Sequence, residues 1–316
     1  LESLHNYFDQ INSLAADYGV DIGLSGGYDS RLVMLLSRYL NAEISFHTHG
    51  GKDHEKEIKV SKLLAEKVKK GLDITDIRNP IFMSEDELIK NFEDSFFFFD
   101  GRPNESMGSY DDVHTRRYRI KVLGDNKLGI NGLGGELFRN HQHIIYNYLD
   151  TSEWFKFYVI NPYVYNSFTS TKVFNSLIEY SLSKAFKIMN IPLKNYVSKP
   201  IIYKYSSEVW TPFARGIKNN VENQIAFFLT PLAEWHIKSL GYQSFPYLGL
   251  NGEFESEIIK RLDKEIAMIP SNYGFGFDNI PLTYKVKILL KGLIPTKVKN
   301  ILYKYQVHQK DSNSSS

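Results

Sequence analysis

The chain contains no cysteine. That excludes disulfides, thiolate metal sites and any cysteine nucleophile, and removes several reaction classes at once. Net charge is also nearly absent, +2 with histidines neutral. No compact Lys/Arg stripe lies beside the glycine-rich segments, so nucleic acid is not expected as a partner. No apolar run reaches the roughly 18 residues of a membrane-crossing helix, so no integral membrane segment is expected. Leu1-Glu2-Ser3-Leu4 has neither a charged leader nor an initiator methionine. No signal peptide is expected, the chain reads as cut from a longer one, and a cytoplasmic location follows by default. What is present is a globular composition, 42% hydrophobic and 23% charged over 316 residues, enough for one large domain or two modest ones.

Val20-Asp21-Ile22-Gly23-Leu24 reads as a short buried strand, and the segment from Arg31 through Val33, Leu35 and Leu36 to Leu40 reads as a helix. Between them stands Leu24-Ser25-Gly26-Gly27-Tyr28-Asp29-Ser30. A turn that opens a helix gathers unpaired backbone N–H groups at the positive end of the helix dipole, which makes an anion site. A nucleotide phosphate is the expected anion. Ser25, Gly26, Gly27 and Ser30 would cradle it with N–H and hydroxyl donors, since a side chain at either glycine would block close approach. Asp29 repels a phosphate, so it makes sense there as a Mg²⁺ ligand bridging to pyrophosphate oxygens. Its plain alternative is a helix N-cap, a role that Ser30 suits equally. The intact motif favours the metal role.

The first half alternates strand and helix. Residues 43–48 read as a second strand running into a turn at His49-Gly50-Gly51. Residues 55–70 carry Ile58, Leu63, Leu64 and Val68 at helical spacing, with Gly71 as the C-terminal stop. Residues 72–77 read as a third strand, 113–123 as a helix and 127–131 as a further strand, ending in Gly132-Leu133-Gly134-Gly135-Glu136. The alternation predicts an α/β domain over residues 1–150, a parallel sheet with helices on both faces. Its ligand crevice would lie at the strands' carboxyl ends, where both glycine clusters fall. Residues 151–310 are rich in Tyr, Phe and Asn and read as an all-helical region packed on the sheet, with helices over 172–188 and 219–240. Residues 284–310, with seven lysines and no acid, read as a solvated amphipathic helix rather than a membrane-surface or docking element. Residues 311–316 read as a disordered tail. Phe96–Phe99 read as core strand or an aromatic wall.

Neither G-x-x-x-x-G-K-[ST] nor G-x-G-x-x-G occurs at the first turn. Ser-Gly-Gly-x-Asp-Ser after a strand resembles instead the signature of the PP-loop ATP pyrophosphatases, which have an adenine nucleotide alpha hydrolase-like fold. These adenylate a substrate and release pyrophosphate. Within that family the chain is similar to the synthetase domain of asparagine synthetase and its relatives, including β-lactam synthetase and lasso-peptide cyclases. Phe46-His47-Thr48-His49-Gly50 and the helix from Glu55 resemble the strand and helix that flank the adenosine pocket. Gly132-Leu133-Gly134-Gly135-Glu136-Leu137-Phe138 resembles the second motif, a glycine-rich loop followed by acid-Leu-Phe. Thr230-Pro231-Leu232-Ala233-Glu234 resembles a later Pro-Phe-Leu-Asp segment that opens a helix. The resemblance covers most of residues 10–270.

It implies ATP and Mg²⁺ as cofactors. Leu24, Ser25, Gly26, Gly27, Asp29, Ser30, Thr48, Gly132 and Gly134 would hold the nucleotide and Asp29 and Glu136 the metal; the candidate catalytic group is Asp29 and Glu136 with Arg31, which follows the motif where a small residue is more usual. Asparagine synthetases normally read Gly-Ala-Asp-Glu in the second loop. Here Gly134-Gly135 precede a single acid, so one acidic position is lost or displaced. Glu136 either serves alone or is a first-turn glutamate on a helix dipole. Arg31 and Arg139 either donate to an anionic substrate or sit on helix surfaces. The family's adenylation lysine is not selected by spacing among Lys260, Lys264, Lys285 and Lys287. Ser271–Phe277 reads as a glycine/aromatic loop, either a closing flap or a plain turn. Tyr110-Asp111-Asp112 and Arg116-Arg117 read as a solvated helix face, and His47, His49, His54, His114 and His141 as polar residues without metal-ligand spacing.

The activity the resemblance implies is an ATP-dependent ligase that adenylates a small-molecule, peptide or glycan carboxylate and transfers it to ammonia or another amine. Lacking cysteine, the chain is not expected to hydrolyse glutamine. Ammonia would come from a separate or upstream glutaminase domain, or another amine is used. A different class of function is a catalytically degenerate nucleotide-binding module with a docking or regulatory role, which the single acid favours. The tRNA-thiolating PP-loop branch needs a cysteine or persulfide carrier and fits poorly.

Overall fold

The computed structural model describes residues 1–50, 55–76, 84–99, 127–140, 144–160 and 170–294, with Ile120, Leu123, Gln142 and Val298. Its centre is a five-stranded sheet of β1 (Val20–Gly23), β2 (Ile44–Gly50), β3 (Leu72–Asp76), β4 (Leu128–Ile130) and β7 (Phe228–Leu229), in the order β3-β2-β1-β4-β7. Every pairing is parallel. A second, antiparallel pair joins β5 (Tyr148–Asp150) to β6 (Tyr196–Ser198). The fold is thus α/β, with a largely helical second half.

Strand order fixes where a ligand can enter. From β1 the chain builds outward to β2 and β3 on one side, and β4 and β7 are added on the other. The turns leaving β1 and β4 therefore diverge, and a crevice opens between them at the carboxyl ends of the strands. The strands are short and apolar because both faces are covered. Val20, Ile22, Leu128 and Ile130 pack with Phe8, Leu32, Leu36, Phe46 and Leu64 in one core, which also takes Leu232, Ile237, Ile259 and Phe277 from the second half. A separate core gathers Trp154, Phe155, Phe174, Ile178, Phe186, Val197 and Ile202 around the helix Thr171–Ile188 and the β5–β6 pair.

Several expectations need correction. The helix after β1 begins at Tyr28, not Arg31, because Gly27 with extended backbone is its N-cap and the turn is used up inside the glycine motif. The helix Glu55–Lys67 is followed by the left-handed residue Lys69 (φ 57°), and Gly71 does not take that conformation. The region beyond 150 is not all-helical: it contains β6 and supplies β7 to the sheet. The stretch 219–240 is not one helix. The helix Thr211–Glu222 ends there, Asn223 Oδ1 accepts from the Phe228 N–H at 2.8 Å, and Pro231, lacking an N–H, opens a 3₁₀ turn before the helix Trp235–Gln243. The four phenylalanines are not a strand: Phe96, Phe97 and Phe98 end the helix Glu85–Phe98, with Phe98 buried and Phe97 77% exposed. A capping box opens that helix, Ser84 and Glu87 exchanging side-chain-to-backbone bonds of 2.8 and 3.4 Å. Of the basic stretch 284–310, the described part is the helix Leu282–Leu293. Apart from the isolated residues named above, the expected helix 113–123, Gly51 and the tail lie outside the described residues.

Candidate functional site

The turn after β1 is fastened at its base. Leu24 N–H donates to the His47 carbonyl at 2.8 Å, and Ser61 Oγ donates to the Leu24 carbonyl at 2.7 Å. Gly26 then takes φ +71°, and any Cβ there would overlap the Val60 side chain, so the helix Glu55–Lys67 lies directly against loop backbone. Ser30 Oγ accepts from the Ser25 N–H at 3.1 Å and lies 3.0 Å from Ser25 Oγ. No side-chain cap closes the helix start, so neither Asp29 nor Ser30 takes the N-cap role.

The turn after β4 is glycine-rich because Asp29 sits on it. A Cβ at Gly132 would lie 2.9 Å from Asp29 Cβ, and one at Gly135 would lie 2.8 Å from the same atom. Gly134 takes φ +93° beside Ala233. These glycines are explained by loop-on-loop packing. Just beyond them Arg139 forks onto Asp29, Nη1 to Oδ1 at 2.6 Å and Nη2 to Oδ2 at 3.0 Å, and Nη1 also reaches Glu255 Oε2 at 2.9 Å. Glu255 is fully buried. Burial, and then the Asp29 charge, push its carboxyl well above the usual carboxylate range. Glu136 in turn is held through Oε1 by Arg215, from Nε at 2.9 Å and Nη2 at 2.8 Å.

Between the loops lies a cleft of about 320 Å³, at the small end of ligand pockets. Leu24, Ser25, Asp29 and Ser30 line it from the first loop, His47 and Thr48 from β2, and Gly132 and Glu136 from the second loop. Arg215 and Lys218 face it from the helix Thr211–Glu222, and Glu57 and Glu222 also line it. Seven of the residues expected from sequence thus come together: Leu24, Ser25, Asp29, Ser30, Thr48, Gly132 and Glu136. Gly26, Gly27 and Gly134 shape the loops without lining the cleft.

Arg31 is neither a cleft donor nor a surface residue. It is 0% exposed, and Nη1 donates to the carbonyls of Ile266 at 3.0 Å and Ile269 at 2.7 Å, Nη2 to those of Gly26 at 3.2 Å and Pro270 at 3.5 Å. It also lies over the Phe277 ring, 4.5 Å from its centre. Burial lowers its pKa to about 10. This corrects its expected catalytic part: the side chain is a strut behind the loop. The segment 271–277 is the other half of that strut. Phe277 stacks on Tyr28 at 3.8 Å and Ser271 Oγ donates to the Phe275 carbonyl at 2.7 Å, so this loop is a wall.

Three features escaped sequence reasoning. Arg215 and Lys218 supply the cleft's cations, and their i, i+3 spacing on one helix was a readable signal. Glu255 had none, since its partners are distant in sequence. Asp21, 1% exposed, accepts from Ser45 Oγ at 3.1 Å and pairs through Oδ2 with His47 Nδ1 at 2.6 Å. A lone acid inside a buried strand was the clue there.

Magnesium fits this donor set poorly. Each expected ligand, Asp29 and Glu136, is already held by an arginine, and Gly135, where the resemblance implies the second acid, has no room for a side chain beside Asp29. No group of three His, Asp or Glu side chains with metal-holding geometry occurs among the described residues. Lys260 pairs with Glu257 at 2.7 Å, and neither it nor Lys264, Lys285 or Lys287 lines the cleft. Tyr110, Asp111, Asp112, Arg116, Arg117, His54, His114 and His141 lie outside the described residues. Among the described residues no helix is long and apolar enough to cross a membrane. Compared with protein-family models and with curated proteins, the chain matches none significantly.

Proposed function

We propose that the chain binds ATP by its phosphates in this cleft and acts as an asparagine synthetase-like ligase, joining a carboxylate to ammonia or another amine. The observation that carries this reading is that both glycine loops leave adjacent parallel strands at the point where strand order reverses and wall one cleft. In the proposed reaction a carboxylate oxygen attacks the α-phosphorus and pyrophosphate leaves. Loop N–H groups at the start of the helix Tyr28–Leu36, together with Lys218, stabilise the departing charge. The amine then displaces AMP from the acyl carbon. Asp29 orients Arg139, and Glu136 orients Arg215.

ATP–pyrophosphate exchange with a panel of carboxylates, aspartate first, tests this. Wild-type protein exchanges with at least one of them. Lys218→Ala, an exposed position, slows exchange about tenfold or more while leaving the melting temperature unchanged, because one charge-assisted contact is worth roughly 1.5–3 kcal/mol. A second reading, a nucleotide-binding module without catalysis, is favoured by the capture of both acids by arginines. ATP binding without exchange for any carboxylate decides for it.

A further inference from the structure

We propose that His47, held by the buried Asp21, is the general base that takes the proton from the amine as it attacks the activated carboxylate. This rests on the ligase reading above. Ammonia or a primary amine that adds to an acyl carbon must lose a proton, and a base positioned in the cleft accelerates that step by about 10²–10⁴-fold.

The geometry selects His47 for three reasons. First, its orientation is fixed. In register, His47 on β2 stands opposite Gly23 on β1, and Ser45 opposite Asp21. Asp21 and His47 therefore meet on one face of the sheet, Oδ2 to Nδ1 at 2.6 Å, while Ser45 Oγ occupies the other carboxylate oxygen at 3.1 Å. A buried carboxylate at that distance assigns the Nδ1 position a proton, which leaves Nε2 as the basic nitrogen. Second, Nε2 faces the site. A Cβ at Gly23 would lie 3.4 Å from Nε2, so the absence of a side chain there lets the ring edge stand at the root of the first loop. The ring lines the cleft although the residue is only 8% exposed, and Nε2 carries no hydrogen bond among the described residues. Third, three of the cleft's four carboxylates are committed. Asp29 is chelated by Arg139 and Glu136 by Arg215, and Glu222 Oε2 accepts from Asn131 Nδ2 at 2.6 Å. A carboxylate tied to a guanidinium is a weak base.

The step balances. The amine nitrogen bonds to the acyl carbon, the bond from that carbon to the AMP oxygen breaks with its electron pair, and the N–H proton passes to Nε2. The resulting imidazolium is compensated by Asp21, and the proton then leaves to water. The titratable groups facing the ring are Asp21 on β1, His49 on β2 with its ring 5.7 Å away, and Glu57, which also lines the cleft. Lys127 is farther back, reaching Ser45 Oγ at 3.2 Å.

The test separates the half-reactions. With the carboxylate that supports exchange, His47→Gln is expected to cut amide formation about 10²–10⁴-fold. Pyrophosphate exchange falls by less than about tenfold, and imidazole added to His47→Ala restores part of the amide-forming rate. Asp21→Asn keeps the ring but loses its orientation, and the acidic limb of the pH–rate profile for amide formation shifts. Equal losses in exchange and amide formation in His47→Gln overturn the inference while leaving the ligase reading intact, because His47 would then serve nucleotide binding. Undiminished amide formation in His47→Gln also overturns it. Absence of exchange in the wild-type protein with every carboxylate overturns the ligase reading, and this inference with it.

Discussion

Replacing Arg31 by methionine lowers the free energy of unfolding by about 3–5 kcal/mol, the range expected when several buried carbonyls lose one shared cationic donor. Methionine keeps much of the volume, so the loss reports bonding rather than a cavity. The guanidinium bridges the Gly26 carbonyl in the first loop to the carbonyls of Ile266, Ile269 and Pro270, and is covered by Phe277. Without it, the Gly26, Ile269 and Pro270 carbonyls lose this donor at about 1–3 kcal/mol each, partly recovered by water entering from the 271–277 side, while the Ile266 carbonyl keeps the Ile269 N–H at 3.2 Å. Urea denaturation measures the loss. Limited proteolysis adds a local readout, with new cleavage within 270–280. Wild-type stability in Arg31→Met, with no new cleavage, contradicts the strut.

Arg31 also shows where the sequence stops being readable. Its nearest carbonyl partner in sequence beyond the loop, Ile266, lies 235 residues away, and no local pattern encodes such a pairing. Adjacent to a glycine motif, an arginine looks like an anion donor, and its actual role follows from tertiary packing. The β1–loop–helix unit was legible because everything that makes it is local: apolar residues, then glycines where φ or close approach demands them, then helical spacing. The segment 219–240 was misread because apolar spacing continues through Pro231, although the proline itself was visible. The run Phe96–Phe99 was misread because its apolar character outweighed the capping box at Ser84 and Glu87. Within the cleft, the loop residues were legible and their ion partners were not. Arg139 was seen beside the second loop, but its grip on Asp29 and on Glu255, 116 residues on, was not.

Putting back the acid that the resemblance implies, by Gly135→Asp, destabilises the protein by about 3–5 kcal/mol rather than rebuilding a metal site. The new Cβ would overlap the Asp29 carboxylate and lie 2.8 Å from Asp29 Cβ, so the carboxylate would have to leave Arg139 and the loops shift apart. A second carboxylate there would also compete with Asp29 for Arg139 while Glu255 already shares it. Overpacking and like charge act in the same direction. Equilibrium unfolding with and without millimolar Mg²⁺ checks both parts. The expected outcome is a lower midpoint that magnesium does not restore. A folded variant with wild-type stability, or one rescued by magnesium, shows that the loops have room for the family's two-acid arrangement and that arginine capture of Asp29 is incidental.

The second loop therefore differs in kind from the first. The first loop keeps open donors at the start of the helix Tyr28–Leu36, with its serines bonded to each other. The second packs its glycines against Asp29, with Arg139 paired to Asp29 and Arg215 to Glu136.

The central claim is that a nucleotide's phosphates lie between these two loops. Amide hydrogen exchange, read by mass spectrometry with and without saturating ATP, tests it most directly. Slowed exchange in peptides covering residues 23–31 and 130–137, with any further change limited to the cleft-lining segments of β2 and the helix Thr211–Glu222 and none around the Trp154–Phe186 core, is the result expected. Protection that leaves both loops unchanged, or none at saturating ATP, contradicts it.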